Sequence, residues 1–179
     1  MDKPAYDDLI QGASGLASLM GAATGTPRYA PSVLADKTTG LYLTFSIAMA
    51  LVHKERTGEG QKLHVPMYEA FTSFVMSEHM QGRTFEPPTG AAGYGRMLTP
   101  HRRPYPTADG YVCVIPYNDK HWRTFFAVAG KTELADDPRF ADQAARSNNI
   151  DALYAIVAEV MQTRSTAEWL KTLEEADIP

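Results

Sequence analysis

Residues 36–70 read DKTTGLYLTFSIAMALVHKERTGEGQKLHVPMYEA, and the organisation of the chain is built outward from them. An aspartate stands ahead of Lys37-Thr38-Thr39, and Leu41 to His53 is apolar on nearly every face of a helix. A helix apolar all round is normally buried inside a larger body. Lys54 and Arg56 put basic charge in its last turn and Gly58 follows, a combination that ends a helix. Gln61 to Val65 has the composition of a short strand, and Met67 to Gln81 that of a second helix. Asp36 is thus expected just ahead of a helix, as its N-cap, with backbone N–H groups and the helix dipole stabilising the ionised carboxylate.

Upstream, Ala5 to Ala22 carries apolar residues at helical spacing, with Gly12 and Gly15 as weak points, and TGTPRYAPS is a turn-rich connector. Downstream, composition shifts once, at RTFEPPTGAAGY (residues 83–94), where Pro and Gly concentrate as in a linker or loop. Beyond it, TADGYVCVIP predicts a turn at Asp109-Gly110 followed by a strand. Asn118 is placed to cap a helix running to Val128, and Ile150 to Met161 is amphipathic. Ser165 with Glu168 has capping-box spacing ahead of a last helix. The sequence stops at Ala176-Asp177-Ile178-Pro179, where a proline after an apolar residue ordinarily leads into another element, so a fragment of a longer protein is expected.

With 179 residues the chain can hold one ordinary domain or two small ones. Its 44% hydrophobic and 21% charged residues are globular values, and seven Phe, nine Tyr and two Trp can support a core. A net charge of −4 argues against a nucleic-acid partner. The short basic cluster His101-Arg102-Arg103, between Pro100 and Pro104, has the look of a solvated loop, with a phosphate-type anion site as the sharper alternative. Cys113 is the only cysteine, so no internal disulfide is possible, and no two of the five histidines have the four-residue spacing of a helical metal site. Met1-Asp2-Lys3-Pro4 lacks the apolar run of a signal peptide, and Leu41 to Val52 falls short of the ~20 residues that span a bilayer. A soluble, cytoplasmic protein without membrane contact is expected.

The 36–70 block resembles the central signature of the class III CoA-transferases, the family of formyl-CoA transferase and carnitine CoA-transferase, with α-methylacyl-CoA racemase as a relative. The likeness lies in an Asp opening a helix, a Thr-Gly just after it, the HKERTGEGQ turn, and Met67-x-x-Ala70 opening the next helix. Pro4-Ala5-Tyr6-Asp7 followed by Gly12 and Gly15 is similar to the segment ahead of that signature, and TADGYVCVIPYNDKHW to the family's small-domain hairpin and helix. The resemblance implies an α/β fold. Residues 1–82 would form the helical portion of a Rossmann-like large domain, packed on a sheet supplied mostly by residues absent here. Residues 83–95 would form a glycine-containing loop, and residues 96–179 a small α+β domain cut short at its end. Full-length members form interlocked dimers and bind much of the CoA with an N-terminal half to which no segment here corresponds.

The same resemblance implies site residues. Asp36 matches the aspartate that accepts an acyl unit and then CoA, and Tyr6, thirty positions earlier, matches an active-site tyrosine. Met67 matches a residue lining the CoA channel. Gly90, Gly93 and Gly95 fall where transferases carry a mobile glycine-rich loop over the thioester, although GAAGYG is not polyglycine. Asp119 falls where the racemase branch has an acid–base carboxylate, and its plainer reading is a first-turn helix charge after Asn118. Taken alone, Asp36 is equally a simple N-cap, Tyr6 a half-buried aromatic and Met67 core. The expected activity is CoA transfer between carboxylic acids, with acyl-CoA and acids as substrates and no tightly bound cofactor. A racemase-type epimerase and a non-catalytic dimerising module are the alternatives, and the chain alone is expected to be inactive.

Overall fold

A computed structural model describes residues 4–179. The first break in the chain comes from backbone geometry. Gly15 holds a left-handed φ of +90°, and a Cβ there would lie 2.6 Å from Cε of Met76. The stretch Ala5 to Ala22 therefore forms two helices rather than the single one expected, α1 (Asp7–Ala13) and α2 (Leu16–Thr24). After the connector comes α3 (Leu34–Thr57), 24 residues that span about 36 Å. It ends at Gly58, whose φ of +78° lets its N–H reach the Lys54 carbonyl at 2.7 Å.

Residues 61–65 are not a strand. Among the described residues no partner strand lies beside them, and a single extended segment cannot satisfy its own backbone groups as a ladder. Next, α4 (Met67–Met76) stops short of the expected Gln81, and a 3-10 turn over Gln81–Thr84 takes over.

The chain divides into two compact units, Met1–Tyr94 and Gly95–Pro179. The core of the first is small: Ile10, Ala35, Phe71 and Val75 are buried, with Leu34 and Met67 partly covered against them. Contrary to the expectation for a helix apolar all round, α3 is mostly exposed. Ala35 is its only buried residue, while Leu41, Phe45 and Met49 are 60%, 66% and 68% exposed. Contacts to α1 and α4 cover only part of its circumference.

The second unit begins with α5 (Gly95–Leu98) and an antiparallel pair, β1 (Tyr105–Pro106) and β2 (Tyr111–Val112), in which Tyr105 faces Val112. Asp109 in the connecting turn accepts hydrogen bonds from the N–H and hydroxyl of Thr166, tying the turn to a distant helix start. Then follow α6 (Asp119–Val128), α7 (Gln143–Asn148), α8 (Ile150–Met161) and α9 (Thr166–Glu175). Asn118 caps α6 by accepting from the His121 N–H at 2.9 Å, and Ser165 with Glu168 forms the capping box of α9. The core is aromatic: Trp122, Phe125, Phe126, Phe140 and Trp169 are buried around Leu153. Trp169 donates its indole N–H to the Met161 carbonyl at 2.8 Å, satisfying the one polar group it takes inside.

The α/β expectation thus resolves into a helix-rich mixed fold with a single two-stranded sheet among the described residues. Nor is any helix among them long and apolar enough to cross a membrane.

Candidate functional site

The first turn of α3 is organised from outside itself. Its N-cap residue, Val33, has no side chain that can accept a hydrogen bond. That task falls to Asp7 on α1, 28 residues before Ala35. One carboxylate oxygen of Asp7 accepts from the N–H of Ala35 at 2.8 Å and from the N–H of Asp36 at 3.1 Å. Its other oxygen accepts from the side-chain amide of Gln11 at 2.6 Å. Gln11 is fully buried and also holds the connector ahead of α3: its amide donates to the Ser32 carbonyl, and its oxygen accepts from the Ala30 N–H.

Asp36 is therefore not the N-cap. It is the third residue of α3, with an exposed carboxylate. Among the described residues that carboxylate accepts no hydrogen bond. The first-turn N–H groups expected to stabilise it belong to Asp7 instead. Tyr6 immediately precedes Asp7 and is 69% exposed, so the Asp7 contact brings the chain at Tyr6 to the start of α3. Met67 is the first residue of α4, half-buried in the core that holds Ala35.

The glycines of the 83–95 stretch have separate surroundings. Gly90 lies directly against Gly82, so close that a Cβ on Gly82 would collide with the backbone of Gly90. Gly93, at φ +102°, donates to the His79 carbonyl at 2.7 Å, and the Tyr94 N–H donates to Nδ1 of His79. The loop is thus fastened to His79, three residues beyond α4. Gly95 lies in the second unit, where it opens α5.

Asp119, in the first turn of α6, is ion-paired with Arg146, whose side chain is nearly fully buried. The Arg146 guanidinium also donates to the Phe140 carbonyl at 2.9 Å. In the same unit Arg102 and Arg103 line a cleft of about 400 Å³ with Tyr105, Cys113 and Tyr154. Burial there pushes the Tyr105 hydroxyl well above its ordinary pKa. No cluster of metal-ligating side chains occurs among the described residues.

Sequence reasoning missed Asp7 and Gln11 as parts of this arrangement. The signal was present: they stand four residues apart, so they share a face of α1 with Ile10, and that face is buried. Two polar residues on an inward face must have partners.

Residues 1–179 match the family described as CoA-transferase family III. The chain is 30% identical to acetyl-CoA:oxalate CoA-transferase of Acetobacter aceti over 98% of its own length and 46% of that protein's. It is 27% identical to a fatty acyl-CoA transferase of Mycobacterium tuberculosis, so named as probable, across 96% of this chain and 46% of that one. A crystal structure of a hypothetical protein from Mycobacterium tuberculosis superposes with a TM-score of 0.77 at 25% identity, covering 99% of this chain and 47% of that one. The chain belongs to CoA-transferase family III. It spans about half the length of the curated relatives it matches.

Proposed function

We propose that the protein containing this chain transfers CoA between carboxylic acids, with Asp36 as the group that carries first the acyl unit and then CoA. The observation that carries the proposal is the state of Asp36: its backbone is fixed by Asp7, while its carboxylate is exposed and unbonded. The Asp36 carboxylate attacks the thioester carbonyl of an acyl-CoA and expels CoA thiolate, leaving a mixed anhydride. The thiolate attacks the aspartyl carbonyl of that anhydride, releasing the donor acid as a carboxylate and leaving an aspartyl–CoA thioester. The acceptor carboxylate displaces CoA from that thioester, and CoA then attacks the acceptor carbonyl of the new anhydride, which restores Asp36. Atoms and charge balance without an external oxidant or reductant.

Relatives named for CoA transfer to or from oxalate, glutarate and mesaconate support the reaction class. The Tyr6 hydroxyl is proposed to hydrogen-bond the substrate or the thioester carbonyl, Met67 to line the CoA channel, and Gly93 and Gly95 to belong to the loop over the thioester. The Arg146 pairing of Asp119 supports a structural role for that carboxylate over an epimerase's acid–base role. We place the active form in a full-length homodimer, with this chain inactive by itself and weak in CoA binding.

Mass spectrometry of the full-length protein after incubation with an acyl-CoA and brief quenching tests the assignment. A peptide containing Asp36 that carries CoA is expected, and is absent from Asp36→Ala. An Asp36→Ala enzyme that turns over within a few-fold of the parent overturns it.

A further inference from the structure

We infer that Asp7 is a positioning residue for the Asp36 carboxylate, acting through the backbone it holds, with Gln11 as its anchor. The inference rests on the proposed role of Asp36 and adds a group that does not itself meet the substrate.

The first four N–H groups of a helix have no partner within it, and a side chain at the N-cap ordinarily takes one of them. Val33 cannot, and Asp7 takes two. One of these belongs to Asp36 itself, so the Asp7 contact is one residue's width from the carboxylate in question. Ala35, whose N–H is the other, is fully buried, so that donor cannot turn to water if Asp7 is removed.

Asp7 is in turn held. It is buried, no cation pairs with it among the described residues, and its free oxygen is filled by the Gln11 amide. Gln11 reaches from Asp7 to the Ala30 N–H and the Ser32 carbonyl. The result is a polar bracket in which α1 fixes both the connector and the start of α3. Such a bracket does more than a cap would. It sets where the first turn of α3 begins, and hence the direction in which Asp36 leaves the helix. It also takes up the N–H groups to which an aspartate in a first turn would otherwise fold back. Asp36 is left with unbonded lone pairs, the state a carboxylate needs to attack a carbonyl.

The test uses the full-length enzyme and three variants, Asp7→Ala, Asp7→Asn and Gln11→Met, with Asp36→Ala as reference. Steady-state rates are normalised to folded enzyme and measured well below each variant's melting temperature. Asp7→Ala is expected to lower kcat by about tenfold to a hundredfold, as a displaced reacting group does, with KM within about threefold. Asp7→Asn retains an oxygen able to accept both N–H groups but turns an NH2 toward the Gln11 amide, so it is expected to recover part of that loss. Gln11→Met, close in length but without a donor, is expected to fall between them, and supplies the comparison if Asp7→Ala does not fold. The aspartyl–CoA adduct should still form in all three, at rates that follow kcat.

Wild-type kcat in Asp7→Ala, or in Gln11→Met where Asp7→Ala does not fold, overturns the inference, as does a change confined to melting temperature or to KM. If Asp36→Ala itself keeps its activity, the nucleophile assignment fails first, and that outcome is distinct from an inert Asp7 beside an essential Asp36.

Discussion

Replacing Leu41, Phe45 and Met49 together with glutamate should abolish self-association of this chain without unfolding it. The three positions are spaced by four along α3, so they share one face, and each is about two-thirds exposed. Burying a side chain of this kind completely is favourable by ~1.5–3 kcal/mol, so covering the remaining exposed surface of all three is worth on the order of 3–6 kcal/mol per chain. Two copies covering each other gain about twice that, ~6–12 kcal/mol gross, from which the cost of association is subtracted. A second copy of the chain offers the same stripe, so the wild-type chain should run above monomer mass in size exclusion with light scattering, rising with concentration. The glutamate variant should run as a monomer with the same far-UV helical signal, because glutamate is a good helix former and these side chains contribute little to the fold of the single chain. A wild-type chain that stays monomeric at every concentration tested would refute the reasoning, as would a glutamate variant that associates to the same extent.

Asp36→Ala in the full-length protein should eliminate transfer while lowering stability by less than about 1 kcal/mol, since Asp36 makes only a first-turn dipole interaction and is not the cap; paired activity and urea titrations check both. Arg146→Ala should destabilise the second unit by about 2–3 kcal/mol, because the Phe140 carbonyl loses its buried donor while Asp119 is exposed enough to return to water; denaturant unfolding followed by tryptophan fluorescence measures it. Asp109 and Glu168 both titrate below the ordinary carboxylate range, Asp109 chiefly through the Thr166 N–H and Glu168 chiefly through the Ser165 hydroxyl. Their folded pKa values are depressed, so their contribution is present above the unfolded values and is lost as pH falls through the folded ones. The start of α9 should therefore loosen on acidification, which carboxyl NMR titration and amide exchange at Glu168 would show.

Much of the second unit could be read from local pattern. The Asn118 cap, the Ser165–Glu168 box, the Asp109-Gly110 turn and the 150–161 helix each depend on residues within a few positions of one another, and each stands in the structure as expected. The first unit was less legible because its controlling interactions are long in sequence. The split at Gly15 depends on a left-handed backbone conformation that composition does not announce, and the missing strand at 61–65 depends on the lack of a partner, which no local window reports.

The sequence alone determined the family, through the 36–70 block, and marked Asp36 as the carboxylate of interest. Only the tertiary structure decided what surrounds it. The expected N-cap is a first-turn residue, and the cap comes from Asp7 on another helix, because an N–H donates to whichever oxygen the fold brings to it. Likewise the apolar period of residues 41–53 fixed a helix, but periodicity describes which faces are apolar and not what covers them. That depends on neighbours brought by the rest of the fold, and in this chain α1 and α4 cover only a part of α3.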